Sequence, residues 1–235
     1  MRQLFGKARI TQAAQHVRQY PMADQSDPDQ KSSTGKTRQR IVPVRSDACE
    51  VYYELAGDVE ICLRPITRCD KELLRDGVSR LSDRSRYLRF FTGAKTIPEP
   101  ILDRLIDVDV ENHIAWGVLD ITDSPARAIA AAHAIRVAQT ETMEIALAVL
   151  DGYQSLGVAR VLLLEIAKAC EEIGVPSLTA ETLSENRGAR RLFKALGGTA
   201  NYSSGPVIRF VFETGAFRKN AERLVAKLTD PKKAA

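Results

Sequence analysis

One stretch, residues 144–174, constrains this chain more than any other. It opens on a short apolar alternating run from Glu144 to Leu150, which predicts a strand. A polar turn follows at Asp151-Gly152-Tyr153. Next comes Gln154-Ser155-Leu156-Gly157-Val158-Ala159, which leads straight into an amphipathic helix stopped by Gly174. The first amides of a helix lack intrahelical partners, and the helix dipole favours negative charge there. Small residues at Gly157 and Ala159 let a phosphate approach the backbone. Strand, small-residue turn and helix together predict a phosphate-bearing ligand at residues 154–159.

The rest of the chain supplies a sheet for this unit. Residues 59–66 alternate and are β-branched, which predicts a strand. Asp70 is expected to cap a helix carrying Leu73, Leu74, Val78 and Leu81. A second helix is expected from an N-cap at Ser82, with Arg84, Arg86 and Arg89 either on a solvated face or lining a substrate entrance. Pro98 and Pro100 open a third, with Ile101, Leu102, Leu105 and Ile106 inward. Strands at 113–121 and 127–137 form a hairpin through Asp123-Ser124-Pro125. Trp116 and His133 are expected in the interior. After the central helix come a strand at 177–183, a helix at 186–196 ended by Gly197-Gly198, and strands at 200–202 and 207–213. The expected fold is α/β (α+β), a mixed, mostly antiparallel twisted sheet with helices on both faces.

At 235 residues and 44% hydrophobic content, the chain can build one good core with residues left for tails. Residues 1–48 hold nine Lys/Arg against four Asp/Glu, and residues 216–235 hold six against two. Both ends are therefore basic and the middle is mildly acidic, which suits a cationic substrate. The expected division is a basic, largely disordered segment at 1–55, a folded domain at 56–215, and a basic helix or tail at 216–235. The amphipathic start at 1–20 reads as a short helix, a presequence or an unstable segment. Ser33-Thr34-Gly35-Lys36-Thr37 imitates the end of a nucleotide-binding loop, but Gln30 stands where its first glycine belongs. No apolar run reaches the roughly 20 residues that span a bilayer. Four scattered cysteines and three scattered histidines predict neither a disulfide framework nor a metal site, and a reducing, cytoplasmic compartment. Nucleic acid is not an expected partner.

Three stretches then match one pattern. The first is Leu63-Arg64-Pro65-Ile66 with Asp70, followed by Leu81-Ser82-Asp83-Arg84-Ser85-Arg86-Tyr87-Leu88-Arg89-Phe90-Phe91. The second is Glu144-Ile145-Ala146 with the loop at 154–159. The third is Leu183-Ser184-Glu185-Asn186 followed by Arg191-Leu192-Phe193-Lys194-Ala195-Leu196-Gly197-Gly198. Together they resemble the GNAT superfamily of N-acetyltransferases, in particular bacterial protein-lysine-acetyltransferase-type domains, over about residues 59–213.

The resemblance implies acetyl-CoA as co-substrate and a primary amine, such as a protein lysine, as acceptor. It implies that Gln154, Ser155, Leu156, Gly157, Val158 and Ala159 hold the pyrophosphate. Ala148 and Val149 would run beside the pantetheine, and Asn186 and Phe193 would border the cofactor. A lysine amine has a pKa of about 10.4, so its proton must be removed before attack. Glu144 is the expected general base; without that role it is an exposed strand-edge glutamate. Two positions depart from the pattern. Phe193 stands where a tyrosine often protonates the leaving thiolate, leaving Tyr153 and Tyr202 as candidates for that part. Ser155-Leu156 replace a glycine and a basic residue. These departures keep open an alternative, an acyl-CoA-binding regulatory module with reduced catalysis.

Overall fold

The computed structural model describes residues 41–47, 50–55, 58–91, 96–202 and 205–229. The amphipathic start and the nucleotide-loop imitation lie outside the described residues. Nine strands form one sheet: β1 (Ile41–Asp47), β2 (Glu50–Leu55), β3 (Val59–Pro65), β4 (His113–Asp120), β5 (Arg127–Arg136), β6 (Thr142–Val149), β7 (Ser177–Leu183), β8 (Thr199–Tyr202) and β9 (Val207–Glu213). Six helices accompany them: α1 (Lys71–Ser79), α2 (Asp83–Phe90), α3 (Glu99–Ile106), α4 (Val158–Glu172), α5 (Arg187–Ala195) and α6 (Thr214–Thr229). The spatial order is β1-β2-β3-β4-β5-β6-β7-β9-β8. Neighbours pair antiparallel except β6 and β7, which run parallel across the α4 crossover. The mixed, mostly antiparallel sheet expected from the sequence is thus the observed one.

Alternation along β4 shows why both faces are covered. Ile114, Trp116 and Val118 belong to the main core, which they share with Val161, Leu162 and Ile166 of α4. Ala115 points the other way, into a smaller cluster with Leu74 of α1 and Leu102 and Ile106 of α3. A strand buried on both faces needs near-continuous apolar sequence, and β4 has it. Phe217, Ala221, Val225 and Leu228 recur along α6 and seat it in the main core.

Several expectations are corrected. The sheet starts before the boundary expected at residue 56, because β2 pairs with β3 and buries Tyr52, Tyr53 and Leu55. Asp70 does not cap α1 with its side chain. Its carboxylate turns instead to Arg64, at 2.5 and 2.9 Å, and to the Thr67 amide at 2.8 Å. Ser82 does cap α2, accepting the Ser85 amide at 3.1 Å. In α3 the buried stripe is Leu102 and Ile106, one turn apart, which leaves Ile101 47% exposed rather than inward. Only Arg84 of the α2 arginines is fully solvated; Arg86 is buried against Asp83, and Arg89 is half-buried.

Candidate functional site

The site begins where two parallel strands part. β6 and β7 pair from Thr142↔Ser177 to Ile145↔Ala180, and their register ends there. Beyond it, residues 146–149 stay bonded to β5 on one side, while β7 continues with β9. Between the diverging strands, residues 146–149 present an edge that no described strand pairs. Such an edge offers backbone donors and acceptors to a ligand that carries amides.

The gap widens into a cleft of about 420 Å³ whose walls include Ala148, Val149, Gly157, Asn186 and Phe193. Past Val149, where the strands have parted, β6 leads through a single 3₁₀ turn, Asp151–Tyr153, to the N-terminus of α4. Ser155 and Gly157 both take positive φ, +64° and +97°. Glycine adopts that conformation without strain at the very residue that caps the helix. No side chain caps α4, and no acidic residue occupies its first turn. Its first amides and positive dipole end are therefore left for an anion.

Not every residue expected around the ligand borders the cleft. Gln154, Ser155 and Ala159 do, as do Ala148, Val149, Gly157, Asn186 and Phe193. Val158 is buried in the core, and Leu156 packs against it. An apolar residue at 156 thus anchors the loop from beneath, which accounts for its replacing a basic one. The Gln154 side chain serves the protein: its Nε2 donates to the Val149 carbonyl and to Ser85 Oγ, both at 3.1 Å. Asn186 Oδ1 accepts the Ala189 amide at 3.1 Å and so caps α5 at the rim. Phe193 is buried with its ring 5.4 Å from Phe210 and 6.0 Å from Phe212.

Glu144 is half-buried on β6, opposite Ile135 and Thr179. It stands four residues along the strand from Ala148 and shares its face, about 13 Å away. The cleft walls proper do not include it. No described residue forms an ion pair or hydrogen bond with its carboxylate, so it remains available to an incoming cation.

Two histidines on the same sheet face, and Arg89 above it, lie beside this site. His133 lies opposite Ala146, and its Nδ1 is 3.0 Å from His113 Nε2. His113 Nδ1 is 3.1 Å from the Asp107 carbonyl. Burial holds His133 well below the usual histidine range, with the positive charge of Arg89 and His113 adding to it. Burial likewise lowers Arg89 to about 10, with Glu144 opposing that fall. Arg89 lines the cleft. The signal that could have found it is position, one turn after Ser85 on the same helix face. The tyrosines are otherwise placed. Tyr153 donates its hydroxyl to Asp120 Oδ2 at 2.5 Å, and burial followed by that bond raises its pKa. Tyr202 is exposed on edge strand β8.

Comparison with known proteins bears on the family and the fold. A family model described as the acetyltransferase (GNAT) family matches residues 85–197. Acetyltransferase PA5475 of Pseudomonas aeruginosa is 28% identical over 137 residues, covering 58% of this chain and 74% of that protein. Acetyltransferase Pat of Mycolicibacterium smegmatis is 29% identical over 157 residues, covering 66% of this chain. This chain spans only 44% of Pat's length. The crystal structure of the GNAT domain of S. lividans PAT superposes with a TM-score of 0.63 at 27% identity, over 70% of this chain and 96% of that one.

Proposed function

We propose, for a chain that carries an acetyltransferase domain of the GNAT family, a specific reaction: transfer of acetyl from acetyl-CoA to a primary amine by direct attack in a ternary complex. The observation that carries this is the uncapped α4 N-terminus at the splayed end of the gap between β6 and β7. A pyrophosphate at the first amides of α4 needs no metal, because the dipole and the backbone donors supply the positive field. The edge at residues 146–149 runs from that loop toward Glu144, a suitable bed for a pantetheine arm with two amides.

Glu144 takes the ammonium proton, directly or through water, and the neutral amine attacks the thioester carbonyl. A backbone amide on the open β6 edge near Ala148 is suited to the oxyanion, being fixed before the reaction. Phe193 supplies no proton to the departing thiolate. With a thiol pKa near 8.5, the thiolate leaves without one. Catalysis is thereby favoured over the alternative of a silent acyl-CoA-binding module, for which Phe193 and the altered loop at Ser155-Leu156 are the motives. A protein lysine is the acceptor class in this proposal. A cytoplasmic setting accords with Cys69 and Cys170 as free thiols. No helix among the described residues is long and apolar enough to cross a membrane.

The test is CoA thiol release from acetyl-CoA in the presence of lysine peptides, for the wild type and Glu144→Gln. We expect turnover by the first and a loss of about a hundredfold or more in kcat for the second. Acetyl-CoA binding by calorimetry with no thiol release would select the binding-module reading. Absence of binding would overturn both.

A further inference from the structure

We propose that Arg89 binds a carboxylate carried by the acceptor beside its reacting amine, so that the substrate is a lysine flanked in its own chain by Asp or Glu. The inference rests on the reading of this cleft as an acetyl-transfer site. Arg89 forms part of the cleft wall, yet no hydrogen bond or ion pair joins it to any described residue. Among the described residues, the ring of Phe90 lies against it, with its centroid 4.8 Å from the guanidinium carbon. An aromatic face attracts the cation but accepts none of its five N–H bonds. Other guanidinium groups nearby have found acceptors. Arg64 meets Asp70, Arg80 meets Asp76 and the Ala128 carbonyl, and Arg86 meets Asp83.

The surroundings say what sign of ligand Arg89 awaits. The charged and titratable groups whose fields reach it are Glu144 and His133. His133 is held neutral by burial and accepts no further proton near neutral pH. Glu144 offsets the charge through space without bonding to the guanidinium. The cleft wall thus carries a half-buried cation, and a carboxylate beyond that wall on β6 faces it without pairing with it. A ligand bearing one charge of each sign completes both: its ammonium goes to Glu144 and its carboxylate to the planar fork of Arg89.

The donor is the less suitable source of that carboxylate. Its phosphates belong at the α4 N-terminus, beside Ser85 and Gln154. Arg89 lies one helical turn beyond Ser85, about 5 to 6 Å along the axis, toward Glu144. An acetyl group brings no charge there.

The experiment uses the full chain and a set of peptides with one lysine, flanked by Asp, Ser or Arg. Peptide binding is read by fluorescence anisotropy and turnover by CoA thiol release. We expect kcat/KM for the acidic peptide to exceed that for the serine peptide by about tenfold or more. Arg89→Gln should bring that ratio close to one, and Arg89→Lys should keep part of it. A calorimetric titration of Arg89→Gln with acetyl-CoA verifies that the fold and the donor site persist. A wild-type enzyme indifferent to the flanking charge would overturn the proposal. So would an Arg89→Gln enzyme that loses the same factor on every peptide. So would an Arg89-dependent preference for succinyl-CoA over acetyl-CoA, which would put the carboxylate on the donor. An Arg89-dependent preference in binding without thiol release would uphold Arg89 and remove the acetyl-transfer reading instead.

Discussion

The Asp151 carboxylate accepts the Ser85 hydroxyl at 2.8 Å, joining the start of α2 to the turn that precedes the anion loop. The same carboxylate takes the Ser82 hydroxyl at 2.9 Å and the Ser82 amide at 3.2 Å. Burial pushes its pKa up, but these bonds outweigh it and hold the carboxyl below the usual range. Ser85 in turn accepts from Gln154, which braces Val149. One network thus ties the end of β6, the loop and α2, the helix that carries Arg89.

Asp151→Ala should therefore raise the KM for acetyl-CoA by about fivefold, a loss on the order of 1 kcal/mol for exposed, charge-assisted bonds. Asp151→Asn keeps an acceptor oxygen and should lose less. Steady-state kinetics at varied acetyl-CoA, beside a thermal melt, separates a loosened loop from a general loss of stability. An unchanged KM in Asp151→Ala would remove the network from cofactor binding.

Arg64 and Asp70 form a buried pair, each side chain 8% exposed. Burial alone would raise the Asp70 pKa, yet the bonds from Arg64 and Thr67 outweigh it and leave it lowered. Because the folded value lies below the unfolded one, the stabilisation is complete above the unfolded pKa of about 3.9. It is lost as pH falls through the folded value. Asp70→Ala strands a guanidinium in the interior and should cost about 3–5 kcal/mol in urea unfolding at neutral pH. Its deficit relative to the wild type should shrink under strongly acid conditions.

How much of this was readable beforehand depends on whether a residue's partner is near in sequence. The strand, turn and helix around the anion loop could be read because β6, Gly157 and α4 are contiguous and their pattern is local. Asn186 could be read as a cap for the same reason. β1 and β2 could not, because their segment follows a long polar one and is held by pairing, with Tyr53 opposite Ile61. The pattern left Arg84, Arg86 and Arg89 alike, on a solvated face or at a substrate entrance, and could not say which of the three. Only the packing of α2 over β6 and β7 turns Arg89 into the cleft. Leu156 looked like a flaw in a phosphate loop until the core beneath it was in view. The expectation for 216–235 is a basic helix or tail, which includes neither the apolar stripe of α6 nor the face that receives it.

His113 and His133 set a pH limit on the fold. A carbonyl only accepts, so the Asp107 oxygen fixes the proton on His113 Nδ1. In the neutral ring Nε2 then accepts, and His133 must donate from Nδ1. Burial, the largest cause for each, lowers both pKa values. As pH falls below about 6.5 the unfolded chain gains protons that the folded chain refuses, so stability falls. The slope should approach about 1.4 kcal/mol per pH unit for each histidine. Melting curves between pH 7 and pH 5 should show a steady decline, shallower in His113→Asn. A flat profile in the wild type would contradict the bonded neutral pair.

Gly198 shows how closely the far wall of the cleft is packed. A Cβ there would lie 2.5 Å from Phe212 Cε1, 2.9 Å from the Phe193 carbonyl and 3.0 Å from Phe210 Cδ1. Two of these neighbours are ring atoms in a buried aromatic cluster and the third is backbone, so none can yield without moving the others. Gly198→Ala should therefore destabilise the protein by about 1–3 kcal/mol through overpacking, measurable as a lower urea midpoint at unchanged slope. Relief of the clash would push the Phe193 end of α5 outward, and α5 carries Asn186 as its cap at the rim of the cleft. A weaker acetyl-CoA affinity should accompany the lost stability. Phe212→Leu in the same chain, by freeing space at the tightest contact, should restore part of both, whereas rescue of neither would show that the close approach at Gly198 is not what holds α5 against the sheet.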